Sequence, residues 1–284
     1  MKVGMVGYGA MGAHMAGHIA ASGKHQVIGY DVNPDSLKGA PDQGVAVASS
    51  LADVTANADV IVVMVATDEQ AVSVVTEMLE TAKPDTLFAV AATLHPDTMK
   101  ALDKDAKAKG CAIIDSPVVF GLSGAREGNL LSLCGGAEKD VERASEVLMC
   151  YSRGVRHMGS IGKGMLTKTV NNLMHWSNCV ANFEAIALGK RFGIQGQKMR
   201  EVLLECPARN GTLADWDETR LTWPVKDMTI ALDLAEQGEL TLPHFGQIDQ
   251  LVRLIKPDQI KGLLYEDKTH YLGRDIVAMP EEKE

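Results

Sequence analysis

The sequence has 284 residues, of which 46% are hydrophobic, and its formal net charge is −9 at pH 7. This length allows two domains with separate cores. The negative charge argues against nucleic acid and anionic membranes as partners, and no apolar run is long enough for a transmembrane helix. The five scattered cysteines include no C-x-x-C pair, which indicates reduced thiols in a cytoplasmic protein, with neither a disulfide framework nor a metal site.

The first predicted strand, residues 3–6, runs directly into a turn with the spacing G-x-G-x-x-G. With this spacing, the first glycine permits a tight turn, the second lets backbone approach a pyrophosphate, and the third lets the helix pack closely on the strand. The helix predicted over 10–22 would direct its free N–H groups and positive dipole end at the phosphates. The segment predicts a dinucleotide site formed by Gly7, Tyr8, Gly9, Ala10, Met11 and Gly12.

The second predicted strand, residues 26–30, ends at Asp31, which lies 24 positions after Gly7. An acid at about this distance meets the ribose of the adenosine half of the cofactor. A carboxylate accepts hydrogen bonds from a 2′-hydroxyl and repels a 2′-phosphate, and no arginine follows in residues 32–34. The sequence therefore favours NAD over NADP, with NADP left as the alternative because Lys38 is near enough in sequence to reach the same pocket.

Strand-like and helical segments alternate through the rest of the first half. The strands are predicted over 45–47, 60–66, 87–91, 111–115, 130–134 and 155–158. Helices are predicted from about residue 49, over 69–81 and over 96–109. Repeated units of this kind predict an α/β fold with a doubly wound parallel sheet. The connection over 115–128 shows no clear helix and is long enough to be functional.

The pattern changes after residues 159–162. Residues 163–192 contain no proline and no strand signal, which predicts one long helix, and the segments 197–205, 227–237 and 242–255 are also helical in pattern. We therefore expect a dinucleotide-binding domain over 1–161, a long interdomain helix over 162–192, and an all-α substrate and dimerisation domain over 193–284.

The long helix carries an unusual polar stripe. At about 100° per residue, Lys168, Asn171, Asn172, His175 and Cys179 fall within an arc of about 100°. A lysine in a stripe buried between two domains requires a partner or a chemical role, because an unpaired buried ammonium is costly. A solvated helix face is the alternative interpretation, but the flanking positions are apolar.

Three segments match known motifs in order along the chain. Residues 7–16 match G-x-G-x-M-G-x-x-M-A, residues 115–125 are similar to D-A-P-V-S-G-G-x-x-G-A, and residues 162–172 match G-x-G-x-x-x-K-x-x-N-N. In these motifs the chain resembles the β-hydroxyacid dehydrogenases, a family that includes 3-hydroxyisobutyrate dehydrogenase and, more distantly, 6-phosphogluconate dehydrogenase. The resemblance implies a Rossmann-type first domain and a homodimer or homotetramer.

The same resemblance implies an NAD-dependent oxidoreductase. It would interconvert a β-hydroxy acid, or a related hydroxymethyl compound, with the corresponding aldehyde or ketone by hydride transfer. Lys168 would be the general acid/base, and Asn172 would hold the substrate. The implied cofactor contacts beyond the glycine turn are Val65, Ala66, Thr67, Thr93 and Lys226.

The substrate motif departs from the family pattern at Val119 and Phe120, which stand where the family has Ser-Gly for the substrate carboxylate. A lost hydrogen bond to a buried group costs about 1–3 kcal/mol. Either Ser123 or another donor compensates, or the substrate presents an apolar group there. Gly121 completes the motif, and further lining residues would be His175 and Arg209, with Arg209 as an anion clamp.

Two other functions compete with a dehydrogenase. An imine reductase shares this architecture and would explain an apolar pocket, but such enzymes usually carry Asp or Tyr at the position of Lys168. The second of these functions is a noncatalytic cofactor-binding protein, which would have little reason to retain Lys168 together with Asn172.

Overall fold

The computed structural model describes residues 1–218 and 221–280. The chain divides into two compact units, Met1–Lys168 and Thr169–Glu284, and the boundary falls inside one long helix. None of the described helices is both long and apolar enough to cross a bilayer.

A six-stranded sheet forms the centre of the N-terminal unit. Its strands are β1 (Lys2–Val6), β2 (Gln26–Tyr30), β3 (Val45–Val47), β4 (Val60–Val63), β5 (Leu87–Val90) and β6 (Ala112–Asp115). Their order is β3-β2-β1-β4-β5-β6, and every neighbouring pair is parallel. The predicted doubly wound parallel sheet is therefore confirmed.

Both faces of this sheet are covered. On β4, Val60 and Val62 enter one hydrophobic core, whereas Ile61 and Val63 enter the other. Alternate side chains of a strand point to opposite faces, so a strand buried on both sides has an unbroken apolar sequence. The helices that follow the strands are α1 (Gly12–Ala21), α2 (Leu51–Asn57), α3 (Asp68–Leu79) and α4 (Pro96–Ala108).

A second, smaller sheet contains the last strands of this unit. It consists of β7 (Val118–Val119), β8 (Leu130–Cys134) and β9 (Ser152–His157), with α5 (Gly121–Glu127) and α6 (Glu138–Leu148) in the connections. The strands predicted at 130–134 and 155–158 exist, but they do not extend the first sheet. The segment 115–128, predicted to lack a helix, contains both β7 and α5. Phe120 and Gly121 have positive φ angles, so the chain turns sharply between β7 and α5. Strand β7 runs antiparallel to β8.

The C-terminal unit is mainly helical, as predicted. Its helices are the later part of α7 (Lys163–Arg191), then α8 (Gly196–Glu205), α9 (Gly211–Ala214), α10 (Pro224–Gln237), α11 (Pro243–Val252) and α12 (Pro257–Tyr265). Its core surrounds Phe183 and Trp216, which are fully buried. A short antiparallel hairpin, β10 (Thr269–Tyr271) and β11 (Arg274–Ile276), follows the last helix, so the expectation of a purely helical region is corrected at this point.

Candidate active site

The glycine turn after β1 is fixed by close packing. Gly7 has φ +91°, and a Cβ on it would lie 2.2 Å from the carbonyl oxygen of Met64. A Cβ on Gly12 would lie 1.9 Å from the carbonyl oxygen of Gly7. A Cβ on Gly9, in contrast, would meet no atom within 4 Å. The first and third glycines are therefore required by the fold itself, whereas the second faces open space that a pyrophosphate can enter.

Several predicted cofactor residues lie together at one edge of the first sheet. The register pairs Val6 with Val63 and Val63 with Val90, so the chain segments after β1, β4 and β5 leave the sheet at the same carboxyl edge. Residues 65–67 and Thr93 therefore lie at the edge that carries the glycine turn. The strand order reverses between β1 and β4, and a crevice at such a switch point is where parallel sheets bind ligands.

Thr67 also has a structural role at this edge. Its hydroxyl accepts a hydrogen bond from the Gln70 N–H at 3.2 Å, and the Gln70 side-chain oxygen accepts one from the Thr67 N–H at 3.3 Å and another from the Ala66 N–H at 2.9 Å. This capping box fixes the first turn of α3. The backbone of Ala66 and Thr67 is thereby held rigid beside the crevice.

The Asp31 carboxylate is held next to the glycine turn. Its Oδ2 accepts a hydrogen bond from the Tyr8 N–H at 2.7 Å, and its Oδ1 accepts one from the Asn33 N–H at 2.8 Å. Each carboxylate oxygen has a second lone pair for a ribose hydroxyl. Lys38 forms an exposed ion pair with Asp35 at 2.8 Å.

The Tyr8 side chain packs against β2 and helps to hold the glycine turn in place. Its ring lies against Gly29, where a Cβ would come within 3.1 Å of a ring carbon, and its hydroxyl donates to the Gln43 side-chain oxygen at 2.6 Å. Burial raises the pKa of Tyr8 to about 12. The phenol is therefore protonated at neutral pH and acts as a hydrogen-bond donor.

Asp115, at the end of β6, anchors the start of α7. This fully buried carboxylate accepts the Gly162 N–H on Oδ1 at 2.7 Å and the Met165 N–H on Oδ2 at 2.8 Å. Burial raises the pKa of Asp115, while these backbone hydrogen bonds oppose the shift. A Cβ on Gly164 would lie 2.2 Å from the carbonyl oxygen of Leu133. Gly164 thus allows α7 to begin in direct contact with the smaller sheet.

The anchoring role of Asp115 was not predicted from the sequence, where the residue was only the first letter of the substrate motif. One signal for it was present. A carboxylate at the end of a buried apolar strand needs strong hydrogen-bond donors, because an isolated buried charge is costly. The unpaired N–H groups of a helix start are such donors.

Lys168 belongs to the N-terminal unit and lies one turn after the Asp115-bound part of α7. Its side chain is half-buried, and Met165, which precedes it by three residues, is fully buried in the core. One turn beyond Lys168, Asn172 is 8% exposed, and its Oδ1 accepts a hydrogen bond from the Asn171 side-chain amide at 3.1 Å. The stripe predicted on the long helix therefore contains polar groups that are shielded from solvent.

In the C-terminal unit, His175 has partners of its own. Its Nδ1 lies 3.0 Å from the Thr212 hydroxyl, and its ring meets the Trp176 ring edge-on at 4.5 Å between centroids. Trp176 donates to the Asp227 carboxylate at 2.9 Å. The half-buried Lys226 directly precedes Asp227.

Arg209 is exposed, and another arginine of the same unit is buried. Arg200 donates its Nε–H to the Leu213 carbonyl at 3.0 Å and forms an ion pair with Asp217 at 3.0 Å. These contacts join α8 to α9 and to the segment that follows it. Arg200 therefore has a structural role, whereas Arg209 presents its side chain to solvent.

The altered substrate motif occupies β7 and the start of α5. Val119 is buried and pairs with Leu131, whereas Phe120 has φ +83° and is 47% exposed. Gly121 also has a positive φ, +55°. Ser123, the predicted substitute donor, donates a hydrogen bond from its hydroxyl to Glu127 at 3.1 Å on the exposed side of α5.

Within residues 1–218 and 221–280, no group of three His, Cys, Asp or Glu side chains is placed to hold a metal ion.

Comparison with family models gives two matches that together cover most of the chain. Residues 2–159 match the NAD-binding domain of 6-phosphogluconate dehydrogenase. Residues 162–263 match a model described as NAD-binding of NADP-dependent 3-hydroxyisobutyrate dehydrogenase. The first match alone covers more than half of the sequence.

Individual relatives point to the same group. The mitochondrial 3-hydroxyisobutyrate dehydrogenase of Bos taurus is 35% identical over 204 residues, which are 71% of this chain and 60% of that protein. The chain thus spans less than two thirds of this relative's length. The structure of Mycobacterium tuberculosis 3-hydroxyisobutyrate dehydrogenase with L-serine has a TM-score of 0.80 and 26% identity, covering 89% of this chain and 92% of that one. A Streptomyces aurantiacus imine reductase, 15% identical with a TM-score of 0.68 over 89% of this chain and 93% of its own, shares the fold.

Proposed function

The chain belongs to the β-hydroxyacid dehydrogenase family, and on that premise we propose that it oxidises a β-hydroxy acid, or a related hydroxymethyl compound, with NAD, or catalyses the reverse reduction. The observation that carries this proposal is the attachment of α7 to the first sheet. Asp115 holds the helix start, and the same unit contains the glycine turn, Asp31 and Lys168. The general acid/base is therefore supported by the same rigid unit as the cofactor site.

The residues at the carboxyl edge fit a dinucleotide. Open space above Gly9 and the start of α1 suit the pyrophosphate, and the Asp31 carboxylate suits the ribose diol. Backbone at residues 65–67 and Thr93 would contact the nicotinamide half, and Lys226 stays a candidate cofactor contact on the family resemblance alone. When bound, NAD supplies the ring that accepts or returns the hydride.

Lys168 moves the proton in this proposal. As a neutral amine it accepts the hydroxyl proton while the carbinol carbon loses hydride, and as an ammonium it returns that proton in the reduction. Asn172, one turn further along α7, would orient the substrate through its side-chain amide. Val119, Phe120 and Gly121 would line the substrate site, with Ser123 as a further candidate of the same unit. His175 and Arg209 stay substrate-binding candidates from the sequence alone.

The direct test is an activity panel with the purified protein. We expect NADH to form from one or more β-hydroxy acids, with NAD preferred to NADP. Cyclic imines, assayed with NADH and NADPH, address the imine reductase alternative. Turnover of imines without turnover of hydroxy acids would contradict the proposal, and no redox activity across the panel would favour a noncatalytic protein.

The preference for NAD is tested by Asp31→Ser. Removing the carboxylate removes hydrogen bonds to the ribose diol and the repulsion of a 2′-phosphate, so we expect the ratio of kcat/KM for NAD over NADP to fall by about tenfold or more. Asp42→Ser, which removes another exposed carboxylate of the same unit, should leave the ratio unchanged. Equal ratios in the two variants would contradict the role of Asp31.

Two further features of the proposal concern the cell and the assembly. The five cysteines are odd in number and include no C-x-x-C pair, a pattern typical of reduced thiols, and on that ground we assign the protein to the cytoplasm. Exposed apolar side chains near the end of α7, Leu188 and Phe192 at 63% and 67% exposure, support association with further copies of the chain as a homodimer or homotetramer.

A further inference from the structure

Strand β9 contains one extra residue relative to its neighbour. Leu130 pairs with Ser152, and Leu131 pairs with Gly154, so Arg153 has no partner on β8. A bulge of this kind leaves a residue outside the ladder and changes the direction of its side chain. The direction of the Arg153 side chain is therefore not fixed by the alternation of side chains along the strand.

The Arg153 side chain lies over Phe120. Its guanidinium carbon is 4.0 Å from the centre of the Phe120 ring. Phe120 itself adopts φ +83°, a left-handed conformation that costs a residue with a Cβ about 1–2 kcal/mol. A glycine, which the family motif has at this position, avoids that cost. The ring that stacks with Arg153 therefore belongs to a residue with an unfavourable backbone conformation, at the position where the motif departs from the family pattern.

The stacked guanidinium retains its hydrogen-bonding capacity. Within residues 1–218 and 221–280, the Arg153 guanidinium makes no hydrogen bond or ion pair, although the chain carries 37 acidic residues against 28 basic ones. Stacking on an aromatic face fixes the plane of a guanidinium and leaves its edge available for a carboxylate, which it binds through two parallel hydrogen bonds. The altered motif has lost its side-chain donor at Val119, and the nearby Arg153 has unused donors.

We propose that Arg153, presented by the β9 bulge on the Phe120 ring, is the substrate-carboxylate receptor of this chain and sets its specificity. This inference rests on the proposed function, because it takes the altered motif as the substrate site. It also defines the substrate class. The substrate is a hydroxy carboxylate with an apolar portion, and that portion lies against Val119 and Phe120 while the carboxylate reaches Arg153.

The test measures binding of unreactive carboxylates, so it does not depend on turnover. Acetate through hexanoate are titrated into the protein saturated with NADH, and the corresponding neutral amides serve as ligand controls. We expect the longer carboxylates to bind the unaltered protein better than their amides. Arg153→Ala should weaken carboxylate binding by about tenfold or more and leave the amides unaffected. Arg153→Lys, which keeps the charge without the planar fork, should lie between the two.

Arg156→Ala is the matched control, since Arg156 lies on the same strand, is also exposed, and donates a side-chain hydrogen bond to the adjacent Val155 carbonyl. It should bind carboxylates as the unaltered protein does. Equal binding by the Arg153→Ala and Arg156→Ala variants, or no preference of the unaltered protein for carboxylates over amides, would overturn the inference. Failure of the proposed function has a different signature, namely an absence of hydroxy-acid turnover by the unaltered protein while Arg153-dependent carboxylate binding persists.

Discussion

Lys168→Ala is expected to lower kcat for hydroxy-acid oxidation by about 10²- to 10⁴-fold, the usual contribution of a positioned general acid/base. NADH affinity should change little, because the glycine turn and Asp31 do not depend on this side chain. The lysine lies one turn after the part of α7 that Asp115 anchors, so its backbone should stay in place when the side chain is removed. Steady-state kinetics and an NADH fluorescence titration measure the two effects separately.

Lys163→Ala provides the control for this experiment. Lys163 begins the same helix and is exposed, so its removal should affect neither kcat nor cofactor binding. The pH profile adds a second readout. The acidic limb of kcat for oxidation, where a required base becomes protonated, should disappear in the Lys168→Ala variant. Similar kcat values for the Lys163→Ala and Lys168→Ala variants would refute the acid/base assignment.

Asp115→Ala should produce the largest loss of stability. It leaves the buried N–H groups of Gly162 and Met165 without their acceptors, and each such group costs about 1–3 kcal/mol. We expect the free energy of unfolding to fall by about 2–5 kcal/mol. Asp115→Asn retains one carbonyl oxygen and should lose less. Denaturant unfolding followed by circular dichroism measures these differences.

Asp105→Ala is the comparison variant for Asp115→Ala, because Asp105 is an exposed carboxylate on α4. Its removal should change the free energy of unfolding by no more than about 0.5 kcal/mol. The Asp115→Ala variant should also lose activity at temperatures where it remains folded, since α7 carries Lys168. Full activity of folded Asp115→Ala protein would show that α7 does not need this anchor to hold the lysine.

The parts of the fold that follow from local pattern were predictable. The unbroken apolar sequence of β4 and the glycine turn after β1 both reflect short-range requirements, and the structure contains them as expected. The hairpin after α12 was missed for a local reason as well. Its turn residues are Leu272 and Gly273, both with positive φ, and a leucine is a rare choice where asparagine or glycine usually signals such a turn.

The remaining features depend on contacts between distant parts of the chain. Asp115 meets residues 47 and 50 positions later, and no periodicity in the sequence encodes that distance. The stack of Arg153 on Phe120 depends on a bulge in β9, which arises only when two strands pair. The unusual residues Val119 and Phe120 are evident in the sequence, but no local pattern there indicates the arginine beside them.

All three tryptophans of the chain, Trp176, Trp216 and Trp223, lie after Lys168. Tryptophan emission therefore reports only on the C-terminal unit. Tyrosines lie in both units, so the N-terminal unit, which contains the glycine turn and Asp31, is better followed by the emission of bound NADH. Trp176 and Trp216 are buried, so their emission should shift to longer wavelength when that unit opens. The opening of the C-terminal unit can thus be followed by tryptophan emission, and the release of NADH from the N-terminal unit by NADH emission, in one sample and without a covalent label.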